Sequence, residues 1–301
     1  MTRVQANLLL LLAGAIWGAG FIAQSTAMET LGPIWFIALR FIVATFVAVP
    51  FALWEKARAQ SALRASDIAG FVLIGLALFA AAAFQQVGLL TTTVTNSGFL
   101  TGLYVVFTPI LTVLVLRRRP HWVIWPAALM ASAGIFLLSG GTLAALTLGD
   151  MLTIVCAVLW SVQMICVGVF AGRSGRPIAL SLVQFAVCGV LGCAVGLLFE
   201  PVSLAAIKGA LPEILYAGFF SSGIAFIFQN VAQRYTTAPQ AAIFLSSEAL
   251  FAALFGVLLL GETITPAGYA GCAIIFAAML AVELVPELLR SRRTTGTPVE
   301  A

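Results

Sequence analysis

The chain has 301 residues, 62% of them hydrophobic and only 9% charged, with 15 Lys and Arg against 11 Asp and Glu and a mean hydropathy of +1.11. Soluble domains run at about 45–50% apolar and about 25% charged, so a water-soluble fold is excluded. The lipid bilayer is the expected surrounding, and no nucleic-acid partner is expected.

Apolar stretches near twenty residues recur along the whole sequence, each long enough to cross about 30 Å of hydrocarbon at about 1.5 Å per residue. Their limits predict helices at 5–25, 34–54, 67–89, 93–116, 122–140, 150–170, 177–198, 212–232, 237–260 and 264–285. The first carries Trp17 and Gln24 and is followed by no small-x-small site, so it is expected to stay in the protein rather than act as a cleaved leader. The third and fourth are separated only by LLTTTVTN, which predicts a tight turn. The fourth ends in RRRPHW and the ninth in GETITP.

Cytoplasmic loops carry the Lys and Arg excess of a membrane protein. With the N-terminus inside, Arg3, Lys56, Arg58, Arg64, Arg117, Arg118, Arg119, Arg173, Arg176, Arg234, Arg290, Arg292 and Arg293 all fall inside, Lys208 alone falls outside, and Arg40 lies within a span. A wrong helix count scatters the later cations to both sides. The charges therefore favour about ten spans with both termini cytoplasmic, as in a multi-pass protein of a bacterial inner membrane.

Sliding the chain by 144 positions superposes its halves without a gap over most of their length. Pro33-Ile34 meets Pro177-Ile178, Phe41 meets Phe185, Phe84-Gln85 meets Phe228-Gln229, Thr92-Thr93 meets Thr236-Thr237, and Leu116 meets Leu260. In the first helix of each half the register slips by one, so that Trp17 meets Trp160. Five helices is an odd number, so the second half enters the membrane from the opposite side. The expected fold is all-α and integral to the membrane, two inverted five-helix repeats at 1–144 and 145–288, with a polar cytoplasmic tail at 289–301. Inversion also explains why RRRPHW and GETITP differ in charge: equivalent ends lie on opposite sides, and the arginines read as a topological signal rather than a ligand site.

Only Arg40 and Glu248 place formal charges well inside the hydrocarbon, where each costs about 2.5–3.5 kcal/mol on insertion scales. Their repeat equivalents are Gln184 and Tyr104, so both charges break the internal symmetry. They read either as a buried pair that orients helices or as cavity groups, Arg40 toward a substrate carboxylate and Glu248 toward an amine or a proton. Trp17 and Trp160 lie near mid-membrane, away from the usual interfacial belts, and suit either packing or an aromatic-tolerant cavity. Gln85 and Gln229, with their neighbours Gln86 and Asn230 and with Gln163, either hydrogen-bond across the bundle or face a substrate. Ser246-Ser247 and Asn96-Ser97 offer neutral donors, and Pro109 loosens its helix. Trp35, Trp54, Trp122 and Trp125 read as belt anchors, and the pairs Gly14/Gly18, Gly98/Gly102 and Gly192/Gly196 as close-packing sites. The five cysteines lie in spans without CxxC spacing and the lone His121 lies in a loop, so neither metal nor cofactor is expected.

The W-G first helix, the RF of the second, the short third-to-fourth turn and SSEALFAALFGVLLLGE resemble the EamA-type drug/metabolite transporter superfamily, whose second-half signature is similar to EPVFAALLGWLLLGE. The resemblance covers nearly the whole chain. It implies a basket-like ten-helix fold with a central cavity and movement of metabolites, often outward; the YddG-like aromatic amino-acid exporters are one branch. This chain departs from the pattern at Ala249, where the family usually has proline, so a proline kink is not expected at that point.

An ATP-driven pump needs G-K-[ST], and the lysines here stand in EKA and IKG. An intramembrane enzyme needs a nucleophile with a base or paired acids, and Asp67 and Asp150 lie at span ends on opposite faces. A secondary transporter working by alternating access is the expected function, with an amino acid or related metabolite as substrate and a cationic or apolar drug as the alternative. The candidate cavity residues are Trp17, Arg40, Gln85, Tyr104, Trp160, Gln163, Gln229, Ser247 and Glu248.

Overall fold

The structure is a computed structural model and describes residues 1–92, 94–140, 146–260 and 263–294. Among them the elements are all helical: α1 (Arg3–Ala27), α2 (Pro33–Ala57), α3 (Ala65–Gly88), α4 (Val94–Gly102), α5 (Tyr104–Leu116), α6 (Ile124–Leu138), α7 (Leu148–Ser174), α8 (Pro177–Phe199), α9 (Leu204–Gly209), α10 (Leu211–Tyr216), a π-helical segment (Ala217–Ala225), α11 (Phe226–Ala232), α12 (Ala238–Leu245), α13 (Ser247–Leu260) and α14 (Pro266–Thr294). Eight stretches are long and apolar enough to cross a bilayer, α6 is a shorter apolar helix, and α1 runs for 25 residues.

Local chemistry sets the ends. Proline, whose missing N–H costs nothing at a helix start, opens α2 and α8. Thr147 and Asp150 cap each other at the start of α7, and Gly175 ends that helix at φ 67°. The last helix departs from the predicted limit. It continues past Pro286 to Thr294, into the segment read as polar tail, because the Glu, Leu and Arg of that stretch are good helix formers; residues 295–301 lie outside the described residues.

α2 and α8, equivalent helices of the two halves, pack antiparallel and cap one another. Glu200, beyond the end of α8, accepts the N–H groups of Ile34 and Trp35 at 3.1 Å, and Glu55, near the end of α2, accepts those of Ile178 and Ala179 at 3.0 and 2.9 Å. A carboxylate is favoured at each N-terminus by the helix dipole. Gly192 leaves no space for a Cβ against Ala38, whose Cα would lie 2.8 Å away. Trp35, expected in the interfacial belt, is instead buried on Gly196, with its indole N–H on the Glu200 carbonyl at 3.0 Å; the missing glycine side chain makes the recess. Trp54, Trp122 and Trp125 are exposed.

Gly14 and Gly18 seat α1 on α13, where a Cβ on Gly18 would meet Ala252 N and Glu248 O at 2.7 Å. Gly102 packs on Ile135, whereas Gly98 faces nothing within 4 Å and is not a packing glycine.

Candidate functional site

Two helix breaks and the π segment meet in the middle of the bundle. The spans predicted at 93–116 and 237–260 are each interrupted, at Leu103 and at Ser246. Ser246 Oγ donates to the Ile243 carbonyl at 2.6 Å, a local bond that competes with the helical ladder. The chain therefore breaks three residues before Ala249 without the family's proline. Broken helices at this depth are tolerated where the freed backbone borders protein or a cavity, and here they deliver Tyr104 and Glu248 to the same place.

The π segment has a wider turn than an α-helix, a form concentrated at functional sites. It offers the Ser221 carbonyl to the indole N–H of Trp17 at 2.8 Å.

Trp17, Gln24, Arg40, Gln85, Thr101, Tyr104, Trp160, Ser221, Phe226 and Glu248 surround a cavity of about 40 Å³. That lies far below the range of about 300–1,000 Å³ usual for small-molecule pockets. The Arg40 guanidinium is buried, donates from Nη1 to Gln24 Oε1 at 3.2 Å, and lies 5.4 and 5.1 Å from the ring centres of Phe36 and Phe41. Its Nε has no hydrogen-bond partner among the described residues. Glu248 Oε1 accepts from the Tyr104 hydroxyl at 3.2 Å, and Gln85 donates to Thr101 Oγ1 at 3.0 Å. The ion pairs among the described residues are Arg3–Glu283, Arg173–Asp67 and Arg176–Glu55. Arg40 and Glu248 thus line one cavity without forming an ion pair.

The apolar side of the cavity is aromatic. The Phe226 ring lies 4.8 Å from Trp17 and 6.1 Å from Trp160, centre to centre, with Phe185 and Phe41 behind it at 6.1 and 6.3 Å.

Six of the nine sequence candidates line this cavity, and Gln163, Gln229 and Ser247 do not. Gln229 donates to Gln163 at 3.4 Å and to Gln233 at 3.0 Å, and Gln163 donates to Gln184 at 3.2 Å, an amide chain that ties α7, α8 and α11 together. Ser247 is buried against Gly14, where a Cβ would collide with its Oγ. Four lining residues were not among the candidates: Gln24, Thr101, Ser221 and Phe226. Phe226 carried a signal, because its repeat equivalent is Ala82.

A second cavity, of about 700 Å³, opens at the end of the bundle that carries Arg118, Arg119 and His121, and reaches Thr112 on α5. Thr112 and Tyr104 are eight residues apart on one helix, about 12 Å. The opposite end carries a bonded polar pair. There Thr92 donates to Asp150, which also accepts the N–H of Thr147 at 2.8 Å, and Gly88 and Gly149 pack without room for a Cβ between them. The repeat equivalents of Thr92 and Asp150 are Thr236 and, with the one-residue slip, Asn7. These do not pair: Thr236 Oγ1 has no hydrogen-bond partner among the described residues, and Asn7 donates to Glu283 at 2.6 Å.

Residues 4–140 and 147–284 each match the EamA-like transporter family. An uncharacterized transporter of Archaeoglobus fulgidus is 31% identical over 282 residues, covering 94% of this chain and 87% of the relative. The uncharacterized transporter YwfM of Bacillus subtilis is 27% identical over 290 residues, covering 93% and 94%. A protein of known crystal structure shares the fold with a TM-score of 0.78 at 20% identity, over 96% of this chain and 99% of that one.

Proposed function

The chain belongs to the EamA-like transporter family, and from that premise we propose that it is a secondary transporter of zwitterionic amino acids with aromatic or other hydrophobic side chains, an exporter working by alternating access. One observation carries the substrate class: Arg40 and Glu248 line the same cavity without pairing. A buried charge is costly unless partnered, and an α-amino acid brings a carboxylate for Arg40, an ammonium for Glu248 and a side chain for Trp17, Trp160 and Phe226. A cationic drug suits Glu248 but meets Arg40.

The same reading takes α1 and α6 with the eight longer stretches as ten spans in two inverted repeats, 1–144 and 145–288, with both termini cytoplasmic in a bacterial inner membrane. The reciprocal capping of antiparallel α2 and α8 supports inversion. Alternating access draws support from the ends of the bundle: Thr92 and Asp150 are bonded, while Thr236, which lines the 700 Å³ cavity, has no hydrogen-bond partner among the described residues and Asn7 bonds to Glu283 instead. A 40 Å³ cavity admits an amino acid only after the halves move. The test is flux of labelled amino acids in proteoliposomes, with and without a proton gradient. Flux of aromatic amino acids is expected, and no amino-acid flux under either condition overturns the substrate assignment.

A further inference from the structure

The 700 Å³ cavity at the basic end falls within the range of about 300–1,000 Å³ usual for small-molecule pockets. Its lining is chemically one-sided. Arg118, Arg119 and His121 stand with the first turn of α12, Ala238 to Gln240, whose dipole adds partial positive charge, and among the described residues no Asp or Glu lines it. Trp122, Ile165 and Val169 contribute apolar walls.

Topology explains why arginines stand at this end but not their state. Arg176 is held by Glu55 at 3.2 Å, Arg173 by Asp67 at 2.7 Å, and Arg3, which also lines the cavity, by Glu283 at 3.7 Å. Arg118 and Arg119 take part in none of the ion pairs among the described residues. The residue before them, Arg117, has φ 52° and ψ 25°, a left-handed conformation uncommon outside glycine. That turn stops α5 and carries the next two arginines onto the cavity wall.

We propose that this vestibule is a binding site for an amphipathic organic anion, a carboxylate or phosphate head on an apolar or aromatic body, with Arg118 and Arg119 taking the head. The head has two sources, a soluble organic acid or an anionic phospholipid. Use of the site to load a substrate carboxylate rests on the transport reading; the binding itself does not.

The test is equilibrium binding of 3-(indol-3-yl)propionate to the full chain in phosphatidylcholine nanodiscs. Saturable binding is expected, weakening as salt is raised, absent for tryptamine, and retained in Arg40→Gln, which removes the midplane guanidinium. The double variant Arg118→Gln/Arg119→Gln is expected to weaken it at least tenfold, while Arg118→Lys/Arg119→Lys, which keeps the charge, stays within about threefold of the native chain. Competition by added phosphatidylglycerol assigns the resident anion to a lipid headgroup, and indifference assigns it to a soluble acid. No binding, binding unmoved by the glutamine pair, or equal binding of tryptamine overturns the proposal. Absent amino-acid flux with this binding intact removes the transport reading alone.

Discussion

Tyr104 donates its hydroxyl hydrogen bond to Glu248 Oε1 at 3.2 Å, and the two residues stand 144 positions apart, the offset that superposes the halves. Equivalent residues touch where an axis relating the halves passes between them, and Phe41 and Phe185 meet in the same way at 5.9 Å. A pair on the axis senses any rocking of one half against the other. Hydrogen bonds to charged groups contribute about 1.5–3 kcal/mol, so Tyr104→Phe, which deletes only the hydroxyl, leaves a buried carboxylate without this donor. Amino-acid flux is expected to fall about tenfold at unchanged protein yield and monodispersity; unaltered flux removes Tyr104 from the mechanism.

Arg40 is the asymmetric member of a second equivalent pair, since Gln184 holds its place in the other half and bonds to Gln163 at 3.2 Å. Glutamine is therefore a side chain this depth of the bundle already accommodates, and Arg40→Gln is expected to fold. What it lacks is a fork of charged donors for a carboxylate. The expected outcome is at least a tenfold loss of amino-acid flux, about 1.4 kcal/mol or more. Arg40→Lys gives little rescue, because an ammonium makes no bidentate contact. Native flux in the glutamine variant would place the carboxylate elsewhere.

Much of this site was legible because a bilayer makes polar residues conspicuous. Arg40, Gln85, Tyr104 and Glu248 stand out against apolar helices and do line the cavity, as do the mid-membrane tryptophans. Phe226 gave no such contrast, and only its mismatch with Ala82 marked it. Ser221 contributes through a carbonyl exposed by a π segment, and AGFFSSGIA carries no residue pattern that separates a π turn from an α turn. Ser247 faces Gly14 rather than the cavity, because the break at Ser246 changes the helical phase beyond it and no proline marks that break in the sequence. The vestibule was hidden by its own signal, because Arg118 and Arg119 satisfy the topological rule whether or not they also bind anything.

The crossed caps of α2 and α8 make separable predictions about stability. Glu200→Gln keeps the shape of the cap on Ile34 and Trp35 but removes its charge, which is expected to cost about 0.5–2 kcal/mol. Glu55→Gln loses the equivalent charge and also the contact with Arg176 at 3.2 Å, whose side chain is only 11% exposed. Leaving that cation unpaired adds to the loss. Thermal unfolding in detergent is therefore expected to rank native above Glu200→Gln above Glu55→Gln, and the reverse order of the two variants contradicts the crossed-cap account.

The two ends of the bundle set a direction for a conformational test. Thr92 and Asp150 are bonded at one end, whereas Thr236 and Asn7, their equivalents, do not pair. If the halves exchange conformations, closing the second pair accompanies opening the first, and weakening the first shifts the population toward the state in which the cavity at the basic end is closed. Asp150→Ala removes a charge-assisted hydrogen bond and the cap on Thr147 together. A difference of about 1.5–3 kcal/mol between the two states corresponds to roughly a tenfold to hundredfold change in their ratio. With the five native cysteines replaced, Thr237→Cys, at an exposed position on the wall of the 700 Å³ cavity, is expected to react with a water-soluble thiol reagent applied from the basic side, and to react more slowly once Asp150→Ala is added. A rate that stays the same or rises shows that the two ends are not coupled through an exchange between the halves.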